Sequence, residues 1–134
     1  FLDRRIRLPL GSFLHFCNPI RDSLAQYAMG RQDALACGDF STLSLICSMQ
    51  AQTSLYTSED LNEALRAVEE SMVLMQRTKD ALNTMQLRQV RQVLRALVGR
   101  NEVPTSLSDA DFNEEAEWQA LRKAGVGYPL LLLS

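Results

Sequence analysis

The chain has 134 residues, of which 46% are hydrophobic and 22% charged, a globular composition that excludes a disordered polyampholyte. A net charge of −2 offers no bulk attraction to nucleic acid, and no stretch is long and apolar enough to span a membrane. The length suffices for one domain with a core of its own, without disulfide or metal staples.

The first sixteen residues do not read as a signal peptide. Arg4, Arg5 and Arg7 precede only a short, broken apolar segment. Asn18-Pro19 reads as a helix start, an Asx cap followed by proline in the first turn. Gly38 is the matching stop, which predicts a helix over 19–37. Ile20, Leu24, Tyr27, Ala28, Ala34 and Leu35 share one face of it, and Arg31 projects into the middle of that face. Asp39 caps a second helix over 40–56, which carries no charge. Phe40, Leu43, Cys47 and Ala51 form one stripe on it, and Leu45, Met49 and Tyr56 form another on the far side. Two apolar sides predict a central helix covered by neighbours on both.

Thr57-Ser58-Glu59-Asp60 is spaced as a Thr-x-x-acid box and opens a third helix over 59–78. Its core stripe is Leu61, Ala64, Leu65, Val68, Met72 and Met75, with the methionines as core filling. Asp80 caps a fourth helix over 81–98. Its apolar residues cover more than half the circumference, and Arg88, Arg91 and Arg95 share the rest. A polar loop leads to a fifth helix over 113–124 carrying Trp118 and Leu121, and Gly125 stops it. Another helix is expected to start at 129. The consecutive residues Leu130, Leu131, Leu132 and Leu133 point all round a helix, so they are expected to contact something further, as a possible interaction surface together with the arginines. Both ends are expected to be cuts through a longer polypeptide.

The reading is all-α: stacked antiparallel helical hairpins forming a single repeat-like domain over 1–134, a fragment of a longer helical array. Helix starts recur about every twenty residues, and two helices per roughly forty residues is the period of helical-hairpin repeats. Ala64, after Asp60-Leu61, matches the second-helix alanine of the tetratricopeptide signature, although most other marker positions differ.

No constellation for catalysis emerges. The single histidine, His15, sits between aromatic neighbours and reads as packing, and no glycine-rich phosphate loop is present. Cys17, Cys37 and Cys47 lack metal-ligand spacing and read as reduced, buried thiols of a cytoplasmic protein. Neither cofactor nor metal is expected. The arginines of 77–100, answered within that window by Asp80 alone, raise nucleic-acid binding through Arg88, Arg91 and Arg95. Pairing with the acidic segment 102–117 explains them better, since no aromatic interleaves them for base stacking.

Phe13-Leu14-His15-Phe16, Pro19-Ile20-Arg21, Cys37-Gly38-Asp39-Phe40, Asp60-Leu61-Asn62-Glu63, Ala96-Leu97-Val98-Gly99 and Asp111-Phe112-Asn113-Glu114-Glu115 stand in an order and spacing that resembles large multidomain signalling kinases. Those proteins join a protein-kinase-like domain, an AAA-type predicted ATPase, a long helical region, a GAF sensor and often a histidine kinase. The resemblance is to the tetratricopeptide-like helical region between ATPase and sensor, from Phe13 to Leu133. It departs at Phe16, where the pattern usually has tryptophan, and at Arg31, where it usually has an aliphatic residue. That region carries no catalytic residue, so the resemblance implies a non-catalytic scaffold or interaction module whose partner is protein: other domains of the same polypeptide or an assembly partner. An accessory subunit docking into a larger assembly is the other reading.

Overall fold

A computed structural model describes residues 2–14, 16–101, 103 and 106–125. His15, the leucines 130–133 and the expected helix start at 129 lie outside the described residues. Six helices and no strand occur among the described residues: α1 (Leu2–Leu14), α2 (Asp22–Cys37), α3 (Phe40–Thr57), α4 (Leu61–Met75), α5 (Ala81–Leu97) and α6 (Glu114–Ala124).

The helix starts are fixed by short acceptor side chains. Asp39 accepts from the Thr42 amide at 3.1 Å, Asp80 from the Asn83 amide at 3.1 Å and Asn113 from the Ala116 amide at 2.8 Å. Each satisfies one of the amide groups left without a partner in a first turn. The start of α4 differs from the expected box. Asp60 itself is the cap, accepting from Asn62 and Glu63, while Thr57 still belongs to α3 and donates to the Thr53 carbonyl. At the end of α2, Gly38 takes a φ of 68°. Its amide reaches Leu35 O and the Asp39 amide reaches Ala34 O, a Schellman closure that a Cβ would strain.

Near the start the structure adds one helix to those expected and corrects one expected helix start. The segment before Asn18 is a helix, α1, with Pro9 inside it. Asn18 closes α1, its amide bonding Leu14 O at 2.8 Å, and does not cap α2. Pro19 opens a tight turn in which the amides of Asp22, Ser23 and Leu24 bond the carbonyls three residues back, so α2 begins at Asp22. α1 then lies close on α2: a Cβ on Gly11 would stand 2.6 Å from the Tyr27 ring. Arg7 ties the pair by an ion pair to Asp33 at 3.1 Å and a hydrogen bond to Gln26.

α3 is the hub. It packs against α1, α2, α4 and α5, while α1 also packs on α2, and α4 on α5. One expected stripe is buried at Leu43, Cys47 and Ala51, though Phe40 at its start is 43% exposed. The other expected stripe is largely solvent-facing, with Leu45 38% and Tyr56 68% exposed. Beside the Leu43 stripe, Ile46 is buried on one flank and a polar face of Ser44, Ser48 and Gln52 on the other. Ser44 donates to Asp80 Oδ2 and Ser48 to Gln86 Oε1, both at 2.7 Å. Because both partners advance together, α3 and α5 lie side by side and run the same way.

The main core joins Leu43 and Cys47 of α3, Leu65 and Val68 of α4, and Leu87 and Leu94 of α5. Each wholly buried leucine contributes about 1.5–3 kcal/mol. Among the described residues no helix is long and apolar enough to cross a membrane.

Candidate functional site: the arginine face of α5

The sequence places Arg88, Arg91 and Arg95 on one side of α5, and the chain folds its own acidic segment over that side. Arg88 Nη1 meets Glu117 Oε1 of α6 at 3.0 Å. The same guanidinium donates to the Asp111 carbonyl at 3.3 Å and stands 5.8 Å from the centre of the Phe112 ring. Arg95 Nη2 meets Asp109 Oδ2 at 3.3 Å. Arg91 has no carboxylate within ion-pair distance among the described residues, and its Nε is buried without a hydrogen-bond partner. Phe112 and Leu121 are both almost wholly buried, and Phe112 lies against Arg88 of α5.

Asp109 is the anchor of this arrangement, and nothing in its local sequence marks it. Its carboxylate accepts from Gln92 Nε2 at 2.7 Å and from the Asp111 amide at 2.8 Å, besides pairing with Arg95. Burial opposes its charge. The Gln92 and Asp111 hydrogen bonds and the Arg95 cation outweigh that cost and hold the carboxyl below the usual carboxylate range. Asp80 is held down in the same direction: burial opposes its charge, and hydrogen bonds from Ser44 and Asn83 prevail. Gln92 itself is fully buried and lies between Asp109 and Asn101, so it pins the loop to α5 from within.

An open cleft of about 510 Å³ borders this face, lined by Arg88, Asp109, Asp111, Phe112 and Glu117 among others. Its arginine is already engaged by a carboxylate, so the cleft presents an acidic rim more than a cationic one. A second groove, of about 530 Å³, runs between α4 and the start of α5 past Met72, Met75 and Met85. Met75 is core, and Met72 packs partly against it.

Arg31, the departure from an aliphatic pattern, reaches from α2 to Ser71 of α4 at 3.4 Å. With Gln50, Ser54 and Ser71 it lines a small, partly open recess of about 20 Å³, large enough for one water. Burial pushes the nearby Cys47 thiol up, against the pull of the Arg31 cation and a hydrogen bond with Ser71. The expectation of three buried thiols is corrected: Cys47 is buried, whereas Cys17 and Cys37 are exposed. Among the described residues no three His, Cys, Asp or Glu side chains converge as metal ligands would. No family model, no curated protein and no solved structure matches the chain.

Proposed function

We propose that the chain is a non-catalytic helical scaffold, a tetratricopeptide-like stack of helical hairpins that spaces or docks protein domains in the cytoplasm. The supporting observation is the order of packing. α1, α3 and α5 touch in sequence, α2 lies on α3, and α4 lies on α5. Ser44–Asp80 and Ser48–Gln86 set the shared direction of α3 and α5. Side-by-side helices, with α3 and α5 each packed on the helix before it, fit an array whose units contact only their neighbours. The resemblance to the helical region of multidomain signalling kinases supports the same reading, with the partner being other domains of one polypeptide or an assembly component.

The nearest-neighbour reading is tested by deletion. Removing residues 1–14 should leave α2 to α5 folded, with a cooperative melt at lower temperature. In a closed bundle the same deletion would open the centre, and loss of cooperative unfolding would refute the stack. The multidomain setting is tested by the reading frame on either side of Phe1 and Ser134, where an ATPase-type domain and a GAF sensor are expected.

Nucleic-acid binding is the weaker reading. Two of the three arginines it needs, Arg88 and Arg95, already face Glu117 and Asp109.

A further inference from the structure

α1 carries an exposed apolar stripe, whose last ring, Phe13, lies 6.0 Å from that of Phe16. Ile6, Leu10 and Phe13 are 54%, 44% and 66% exposed, and their spacing of four and three residues puts them on one helix face. An adjoining side of α1 is occupied: Gly11 lies against Tyr27, and Arg7 against Asp33 and Gln26. So the helix is fixed to α2 on one side by a small residue and an ion pair, and exposes Ile6, Leu10 and Phe13 on another.

The layer order says what belongs there. α3 touches a preceding pair, α1 and α2, and a following pair, α4 and α5. α1 touches a following pair, α2 and α3, and no preceding helix among the described residues. On α3 the contact with the preceding helix runs through Ile46, whose Cδ1 lies 3.0 Å from where a Cβ on Gly30 of α2 would stand. Forty residues before Ile46 is Ile6, and forty-one after it is Leu87, which is fully buried in the core shared with α4. Three helices thus carry an aliphatic residue at matching places. Two of the three are covered by the helix that precedes them, and Ile6 is not.

We propose that the Ile6–Leu10–Phe13 face of α1 is a docking surface for one amphipathic α-helix, lying along α1 as α2 lies along α3 and presenting glycine or alanine to Ile6. The proposal rests on the stacked-scaffold reading above. The bulk on α1 sets the chemistry of the partner: side chains as large as isoleucine and phenylalanine need a small residue opposite for the backbones to approach, as Gly30 provides for Ile46.

The test is a chimera with a second copy of residues 20–39 fused ahead of Phe1 through one linking residue. That linker reproduces the seven-residue spacing between Asp39 and Ile46 at Ile6. Native-state hydrogen exchange should show amides of residues 6–13 protected at least tenfold more than in the parent chain, with a higher Tm. Ile6→Asp should cancel both gains in the chimera and leave the Tm of the parent chain unchanged, since Ile6 is exposed there. A folded chimera whose α1 exchanges as fast as in the parent overturns the proposal. So does a parent chain that sediments as a dimer and becomes monomeric on combined Ile6→Asp, Leu10→Asp and Phe13→Asp substitution, which would assign the face to a second copy. Deleting residues 1–14 reports on the stack alone. A cooperative melt there with no gain in the chimera sinks the docking surface and spares the scaffold.

Discussion

Replacing Asp109 by alanine should cost the fold about 3 kcal/mol, from the loss of charge-assisted hydrogen bonds and the stranding of their donors. The carboxylate holds three donors: Gln92 Nε2, the Asp111 amide and Arg95. Hydrogen bonds to a charged acceptor contribute about 1.5–3 kcal/mol each when the donor cannot turn to water. Only Gln92 meets that condition fully, being wholly buried; the Arg95 side chain is 25% exposed and regains part of its hydration. The Asp111 amide sits in an exposed turn and counts for little. One full bond and part of an ion pair give the estimate, which for a chain of this size lowers Tm by roughly 10 °C.

The same residue sets a pH signature. The folded carboxyl titrates below its unfolded value of about 3.9, so its stabilisation is complete above roughly pH 5 and is lost as pH falls through 3.9 toward the folded pKa. Thermal melts of the natural chain between pH 7 and pH 2 should therefore show Tm falling in that acid window. Asp109→Asn should start lower and fall less. It should still fall, because Asp80 is shifted the same way. Hydrogen exchange should show α6 losing protection before α3, since Asp109 pins the loop that carries α6. A variant melting within about 1 °C of the natural chain, or a pH profile parallel to it, would refute this account of the loop.

Three further outcomes follow from the packing. Gly11→Ala should destabilise by roughly 1–3 kcal/mol in chemical denaturation, because the added carbon meets the ring of a buried tyrosine that has little room to retreat. Cys17 and Cys37 should react quickly with a thiol reagent in the native state, and Cys47 only on unfolding, since it is buried and its thiol is pushed up; three fast thiols would place Cys47 outside the core. Labelled single- and double-stranded oligonucleotides at near-physiological salt should not bind, and combined alanine substitution of Arg88, Arg91 and Arg95 should lower Tm instead; salt-dependent binding lost in that variant would overturn the paired reading.

Local chemistry made much of the fold legible. Asp39 and Asp80 cap because a short acceptor before an apolar run has few other uses, and Gly38 and Gly125 both take positive φ at helix ends, whereas the caps Asp60 and Asn113 were read as part of their helices. What escaped depends on partners distant in sequence. α1 was hidden by Pro9 and Gly11, which argue against a helix interior, and Gly11 makes sense only against Tyr27. The polar covered face of α3 was hidden because serine reads as polar surface. Ser44 is buried at little cost by donating to Asp80, within reach of the Ser41 carbonyl. The separation of arginines from acids was visible, but not which acid meets which arginine. The pairs Arg88–Glu117 and Arg95–Asp109 depend on the path of a loop that no periodicity governs. Gln92, which fixes that path, gave no signal, since a glutamine on a helix reads as solvent-facing.

Gln89 shows how far the polar faces of the inner helices depend on exact partners. It is fully buried on α5, three residues beyond the Gln86 that accepts from Ser48. Yet neither its Oε1 nor its Nε2 has a hydrogen-bond partner among the described residues. An amide buried without partners forfeits its hydration, a loss of about 1–3 kcal/mol that a leucine of similar length avoids. Ser48 and Gln86 differ because each satisfies the other, so removing either alone strands its mate. Gln89→Leu should therefore raise Tm, by several degrees if the side chain fits without strain, while Ser48→Ala should lower it. Both are read in the same thermal melt. If Gln89→Leu destabilises the fold while Gln89→Glu, tested below pH 4 as the neutral acid, does not, then the amide has a polar partner in solution, and the account of this position as an unsatisfied group fails.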